Sequence, residues 1–163
     1  MDKKLLEEMN VQINKEMYSG YLYLAMAAHF EAENLPGFAH WMTMQAEEEL
    51  EHAMKFFAFL NEVGQRVELD AIDKPEAKFG DPIAVFEQVL EHEKYVTSRI
   101  NLLYKLAQEK NEYATEVFLH WFINEQVEEE ANATAILEML KIGGAKGNPL
   151  LMVDRQLAVR SED

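Results

Sequence analysis

The sequence contains no cysteine. That excludes disulfides, thiolate zinc sites, iron–sulfur clusters and cysteine nucleophiles. Long apolar runs are also missing. The longest, Tyr21 to Ala28, has eight residues, against the ~20 that a membrane helix needs. The start, Met-Asp-Lys-Lys-Leu-Leu-Glu-Glu, offers no apolar core for a signal peptide. The expected location is therefore cytoplasmic, with no membrane partner. Basic residues are few. Fifteen Lys and Arg face 30 Asp and Glu, for a net charge of −15, which disfavours a nucleic-acid partner because phosphate binding needs cationic side chains.

Proline and glycine are scarce too, with four and seven occurrences, and they cluster. Between Pro36-Gly37, the stretch Gly64 to Pro82, and the group Gly143, Gly144, Gly147 and Pro149, the chain is rich in helix formers. This predicts an all-α single domain over 1–163. Four helices are expected at about 3–33, 37–64, 82–110 and 112–142. A short fifth is expected at about 149–159, with Asn148 as N-cap and Pro149 in its first position. The links at 34–37 and near Asn111 are short, so each joins antiparallel neighbours. The 17 residues 65–81 can span ~55 Å when extended. They can cross the ~42 Å length of a 28-residue helix and leave the second and third helices parallel. That is the ferritin-like bundle topology. Val67, Leu69, Ile72 and Phe79 are expected to seat the crossover on the bundle.

Charged residues interrupt the apolar stripes at matching depths. The first helix reads Met9, Ile13, Glu16, Gly20, Leu24. The second reads Phe38, Met42, Gln45, Glu49, His52, Phe56, Phe59, Val63. The third reads Phe86, Val89, Glu93, Val96, Ile100, Leu103, and the fourth Phe118, Phe122, Glu125, Glu129, Asn132, Ile136. Glu16, Glu49, His52, Glu93, Glu125 and Glu129 lie within about three residues, or ~4.5 Å, of the helix midpoints. Carboxylates and an imidazole converging in a dry interior need cations.

A shift of 77 residues carries Glu16 onto Glu93, Glu48 onto Glu125, Glu49 onto Gln126 and His52 onto Glu129. Glu49-x-x-His52 places two ligands on one helix face. The second motif, Gln126-x-x-Glu129, departs from that pattern. One tighter metal position on Glu16, Glu49 and His52 is expected, and one looser position at Glu93, Gln126 and Glu129.

These segments carry a family resemblance: Asn14-Lys15-Glu16 followed by Tyr21-Leu22-Tyr23, Glu48-Glu49-Leu50-Glu51-His52, His92-Glu93, and Asn124 through Glu130. Over nearly its whole length the chain resembles bacterial non-haem ferritin. The resemblance implies a homo-oligomeric 24-subunit cage that binds Fe(II), oxidises it with dioxygen or peroxide, and stores a ferric oxyhydroxide mineral. By position it implies a first iron at Glu16, Glu49 and His52. A second would lie at Glu49, Glu93, Gln126 and Glu129, with Glu49 bridging. A third would lie at Glu48, Glu125 and Glu128, with Glu129 available to share. Tyr23 would sit beside the centre. Leu50 stands where haem-binding relatives have a ligating methionine, so no haem is expected.

Seven acids, Glu16, Glu48, Glu49, Glu93, Glu125, Glu128 and Glu129, are thus expected inside the bundle. His29, His40, His92 and His120 are expected at helix surfaces or interfaces, and Trp121 in packing. By the same resemblance the fifth helix, through Leu150, Leu151, Val153, Leu157 and Val159, is expected to meet symmetry mates rather than fold back on its own bundle. The competing readings are a metal-retaining di-iron oxidase or peroxidase of the same fold, and a bundle without metal.

Overall fold

A computed structural model describes residues 1–160. Among these residues there are five helices and no strand: α1 (Lys3–Ala32), α2 (Pro36–Glu62), α3 (Pro82–Glu109), α4 (Tyr113–Gly143) and α5 (Gly147–Leu157). No helix among the described residues is long and apolar enough to cross a membrane.

Local chemistry sets most of the helix ends. Asp2 caps α1, with its carboxylate accepting from the backbone N–H of Lys4 and Leu5. Asp81 caps α3 through Ala84 N at 2.9 Å, and Pro82 occupies the first turn, where its missing N–H costs nothing. Asn34 and Asn111, at φ 58° and 54°, turn the chain after α1 and α3. Asparagine tolerates this left-handed conformation better than most residues.

The contacts between helices fix the topology. Glu8 and Gln12 of α1 meet Arg99 of α3, while Ser19, further along α1, meets the earlier His92. Helices α1 and α3 are therefore antiparallel. The three residues between α1 and α2 make that pair antiparallel as well, so α2 and α3 run parallel, as the long crossover predicts. Asn10 and Asn14, one turn apart on α1, hold the crossover. Asn10 Oδ1 accepts from Glu68 N at 2.8 Å, and Asn14 Nδ2 donates to Ala71 O at 2.9 Å. Phe79 is buried and Val67 packs against the core, but Leu69 and Ile72 are exposed. Side-chain hydrogen bonds to the backbone, rather than those two apolar side chains, seat the middle of the crossover.

A polar layer divides the core in two. On one side Phe30, Phe38, Trp41, Met42, Phe86 and Leu140 pack together. On the other are Leu5, Met9, Phe56, Leu60, Leu103 and Phe122. Each such side chain gains roughly 1.5–3 kcal/mol on burial, so the two clusters hold the polar layer between them. Leu24 and Asn132 leave the expected stripes and are exposed, while Tyr23 and Ala133 take the inward places. Helices of this length drift around their axis relative to a strict three-four spacing.

The fifth helix begins at Gly147, two residues before the expected start, and Asn148 lies inside it rather than capping it. Its capping relation runs the other way. Asp154 Oδ1 accepts from Gly37 N at 2.8 Å and from Phe38 N at 3.0 Å, at the start of α2. Leu35, the residue at the α2 cap position, has no side-chain acceptor to offer. Val153 and Leu157 join the core, so α5 does fold onto its own bundle. Leu151, Met152 and Val159 remain exposed on or next to it.

Candidate metal centre

Glu16 (α1), Glu49 and His52 (α2), Glu93 (α3), and Gln126 and Glu129 (α4) are all buried. Burial on four facing helices brings these expected residues into one layer. One donor atom from each of Glu16, Glu49 and His52 lies within 4.8 Å of the others. A second such group joins His52, Glu125 and Glu129. His52 therefore faces both ways: Nδ1 lies 3.6 Å from Glu49 Oε2, and Nε2 lies 3.9 Å from Glu125 Oε1.

The outer acids differ from the expectation. Glu48 and Glu125 are half-buried and Glu128 is exposed. They rim a cavity of about 230 Å³ beside His52 and Glu129. Only four of the seven acids are inside the bundle: Glu16, Glu49, Glu93 and Glu129. The reason lies in helical register. Gln126 and Glu129 take the inward face of α4, which turns Glu125 sideways and Glu128 outward.

Several partners pin these carboxylates. Gln12 Nε2 donates to Glu16 Oε1 at 2.9 Å. The Tyr23 hydroxyl donates to Glu93 Oε1, and Gln126 Nε2 donates to Glu93 Oε2 at 3.2 Å. Gln45 Nε2 donates to Glu129 Oε2 at 2.8 Å. Glu16 Oε2 and Glu49 Oε2 have no hydrogen-bond partner. An acceptor buried without a donor is costly, and two of them on adjacent helices beside an imidazole form a donor set for a cation. Hard carboxylate oxygens with one imidazole suit Fe(II) and Fe(III).

The electrostatics agree. Burial, then the neighbouring Glu49, pushes the Glu16 carboxyl well above the usual range. Burial, then Glu93 and Glu129, does the same to Glu49. Burial and Glu93 push Glu129 up to about 8. Burial raises Glu93, opposed by the hydrogen bonds from Tyr23 and Gln126. The layer without a cation resists ionisation, and a bound cation would reverse that.

The chain matches the ferritin-like domain family over residues 6–142. It belongs to the ferritin-like family. Within the family it is 39% identical over 160 residues to a bacterial non-heme ferritin of Bacteroides fragilis, covering 98% of this chain and 99% of that one. It is 37% identical over 157 residues to a bacterial non-heme ferritin of Campylobacter jejuni, covering 96% and 94%. Among ferritin structures, the open pore ferritin of Archaeoglobus fulgidus superimposes with a TM-score of 0.97 at 46% identity, covering 99% of this chain and 98% of that chain.

Sequence reasoning passed over the supporting residues. Gln12 and Gln45 sit on the buried faces of α1 and α2, where a polar residue within an apolar stripe is the available signal; Gln45 stood in that stripe without a role, and Thr97 is half-buried on α3. Thr97 lies between Gln126 and Glu130. His92 is half-buried, at the interface of α3 with α1. It packs against Tyr18 and Tyr23, with Nε2 2.8 Å from Ser19 Oγ, and burial lowers it to about 4. Trp121 packs at 5.3 Å from the His52 ring, as expected.

Proposed function

We propose that this chain takes up Fe(II), oxidises it in the polar layer and stores the ferric product as an oxyhydroxide mineral inside a 24-subunit cage. The carrying observation is the pair of unpartnered buried oxygens, Glu16 Oε2 and Glu49 Oε2, within reach of His52. Glu16, Glu49 and His52 would hold one iron. Glu49, Glu93, Glu129 and the carbonyl oxygen of Gln126 would hold a second. Each Fe(II) gives up one electron, and dioxygen or peroxide accepts them. Tyr23 holds Glu93 in place without being a ligand. Glu48, Glu125 and Glu128, rimming the adjacent cavity, would receive an outer iron. The proteins at 36–39% identity bear the name bacterial non-heme ferritin, which supports this reading.

The test is iron loading. The metal-free assembly is given several hundred Fe(II) per cage without oxygen and then exposed to air. Soluble ferric mineral inside a particle many times the mass of the 18.9 kDa chain is the expected result. Uptake that stops near two irons per chain would instead identify a metal-retaining oxidase or peroxidase.

A further inference from the structure

Arg160 lines the cavity beside the polar layer. One guanidinium nitrogen donates to Glu48 Oε2. A second donates to Gln45 Oε1 at 2.9 Å. The guanidinium lies 4.8 Å from the Trp41 ring centre. The Arg160 carbonyl accepts from His40 Nε2, at 2.8 Å, fixing the backbone as well. An arginine so held is a built feature, since stacking and two hydrogen bonds restrain a long, flexible side chain.

The contacts continue inward. Arginine has only donors, so Gln45 must present its oxygen to Arg160. Its NH₂ is thereby aimed at Glu129 Oε2, 2.8 Å away. A single cation thus pairs with the outer acid Glu48 directly, and through one amide it orients the buried acid Glu129. Both acids line the 230 Å³ cavity with His52, Glu125 and Glu128.

We propose that Arg160 is a resident counter-cation and positioning residue of this outer carboxylate site, and that an entering metal ion must displace it. This rests on the outer-iron reading above. A guanidinium does not lose its proton near neutral pH, so it cannot yield to a metal by neutralising itself. It must swing away from Glu48 and Trp41. Its departure removes the donor that orients Gln45 and frees Glu129 from the Gln45 amide. Filling the outer site and releasing Glu129 are then one event.

Zn(II) tests this without redox chemistry. The metal-free assembly is titrated by calorimetry as wild type, Arg160→Gln and Arg160→Lys. The outer Zn(II) should bind roughly three- to tenfold more tightly in Arg160→Gln, the scale of one removed neighbouring charge. The first inner equivalent, on Glu16, Glu49 and His52, should be unchanged, and Arg160→Lys should stay near wild type. Unchanged or weaker outer binding in Arg160→Gln would overturn the proposal. If neither wild type nor Arg160→Gln takes up Zn(II) beyond the inner equivalents, the outer-site reading itself fails and the proposal goes with it.

A second measurement keeps Arg160 intact. There are two tryptophans, so W121F leaves Trp41 as the only reporter. Its emission should change at the outer equivalent of Zn(II), when the guanidinium leaves the ring, and not at the inner ones. W121F with Glu48→Gln should show no such step. A flat Trp41 signal across outer binding would also overturn the proposal.

Discussion

The hydroxyl of Tyr23 on α1 donates to Glu93 Oε1 on α3, tying two helices together across the polar layer. Tyr23 is fully buried, and burial beside Glu93 holds its phenol protonated, far above the ordinary range. It therefore serves as a donor at all physiological pH values. Tyr23→Phe should lower the stability of the metal-free protein by about 1–2 kcal/mol, because Glu93 keeps its burial but loses a donor. The initial rate of Fe(II) oxidation should fall less than it does when a ligand is removed. Thermal melts and stopped-flow absorbance of the ferric product check both.

Glu49→Gln should separate stability from function. The substitution replaces a buried acid that resists ionisation with a neutral group of the same shape, so at pH 8 the metal-free variant should melt no lower than wild type. The fast phase of Fe(II) oxidation should nevertheless drop at least about tenfold, since the shared ligand is gone. An unchanged fast phase would remove Glu49 from the centre.

Stability should depend on pH in a defined direction. Glu129 rises from 4.5 to about 8 on folding, and Glu16 and Glu49 are raised as well. The folded state then holds more protons than the unfolded state. The contribution is complete below pH 4.5 and is lost as pH rises towards 8. His92 opposes this at lower pH. Lowered from 6.5 to about 4, it favours folding above 6.5 and loses that contribution as pH falls towards 4. The clean window is therefore the upper part of pH 6.5 to 8, where His92 is largely neutral in both states. There the metal-free protein should lose on the order of 1–2 kcal/mol per subunit, and saturating Zn(II) should abolish the slope. Denaturant melts at several pH values, with and without Zn(II), would show it. A metal-free stability that rises across this window would sink the assignment.

Docking of α5 depends on Asp154 and Gly37. A Cβ on Gly37 would lie 1.7 Å from Asp154 O, and this is backbone, which cannot step aside. Gly37→Ala should force α5 off the start of α2. Asp154→Ala removes only the cap and should cost about 1 kcal/mol. Limited proteolysis near residues 144–147 should accelerate sharply in Gly37→Ala and modestly in Asp154→Ala. Equal resistance to cleavage in all three proteins would show that the contact holds nothing.

Much of the fold was legible because helix periodicity and chain reach are local properties. The spacing of Phe38, Met42, Glu49, His52 and Phe56 marks the buried face of α2, and each is buried. The length of 65–81 allowed α2 and α3 to run parallel. The inner residues were legible for a related reason: a carboxylate within an apolar stripe is conspicuous, and Glu16, Glu49 and Glu93 all lie inside. The stripe of α4 was less clear, since Asn124 through Glu130 is polar nearly all round and offers two registers. Packing chose the one that buries Gln126 and Glu129 and leaves Glu128 outside.

By itself the sequence determined which residue types recur at which spacing, and hence the helices, their order and the chemistry of the layer between them. The tertiary structure decided what lies next to that layer from distant parts of the chain. Asp154 caps a helix that begins 118 residues earlier. Arg160 reaches back 115 residues to Gln45 and through it to Glu129. No periodicity encodes such pairings, because they depend on how two separately formed elements dock. They exist only once the bundle has brought its far end against its second helix.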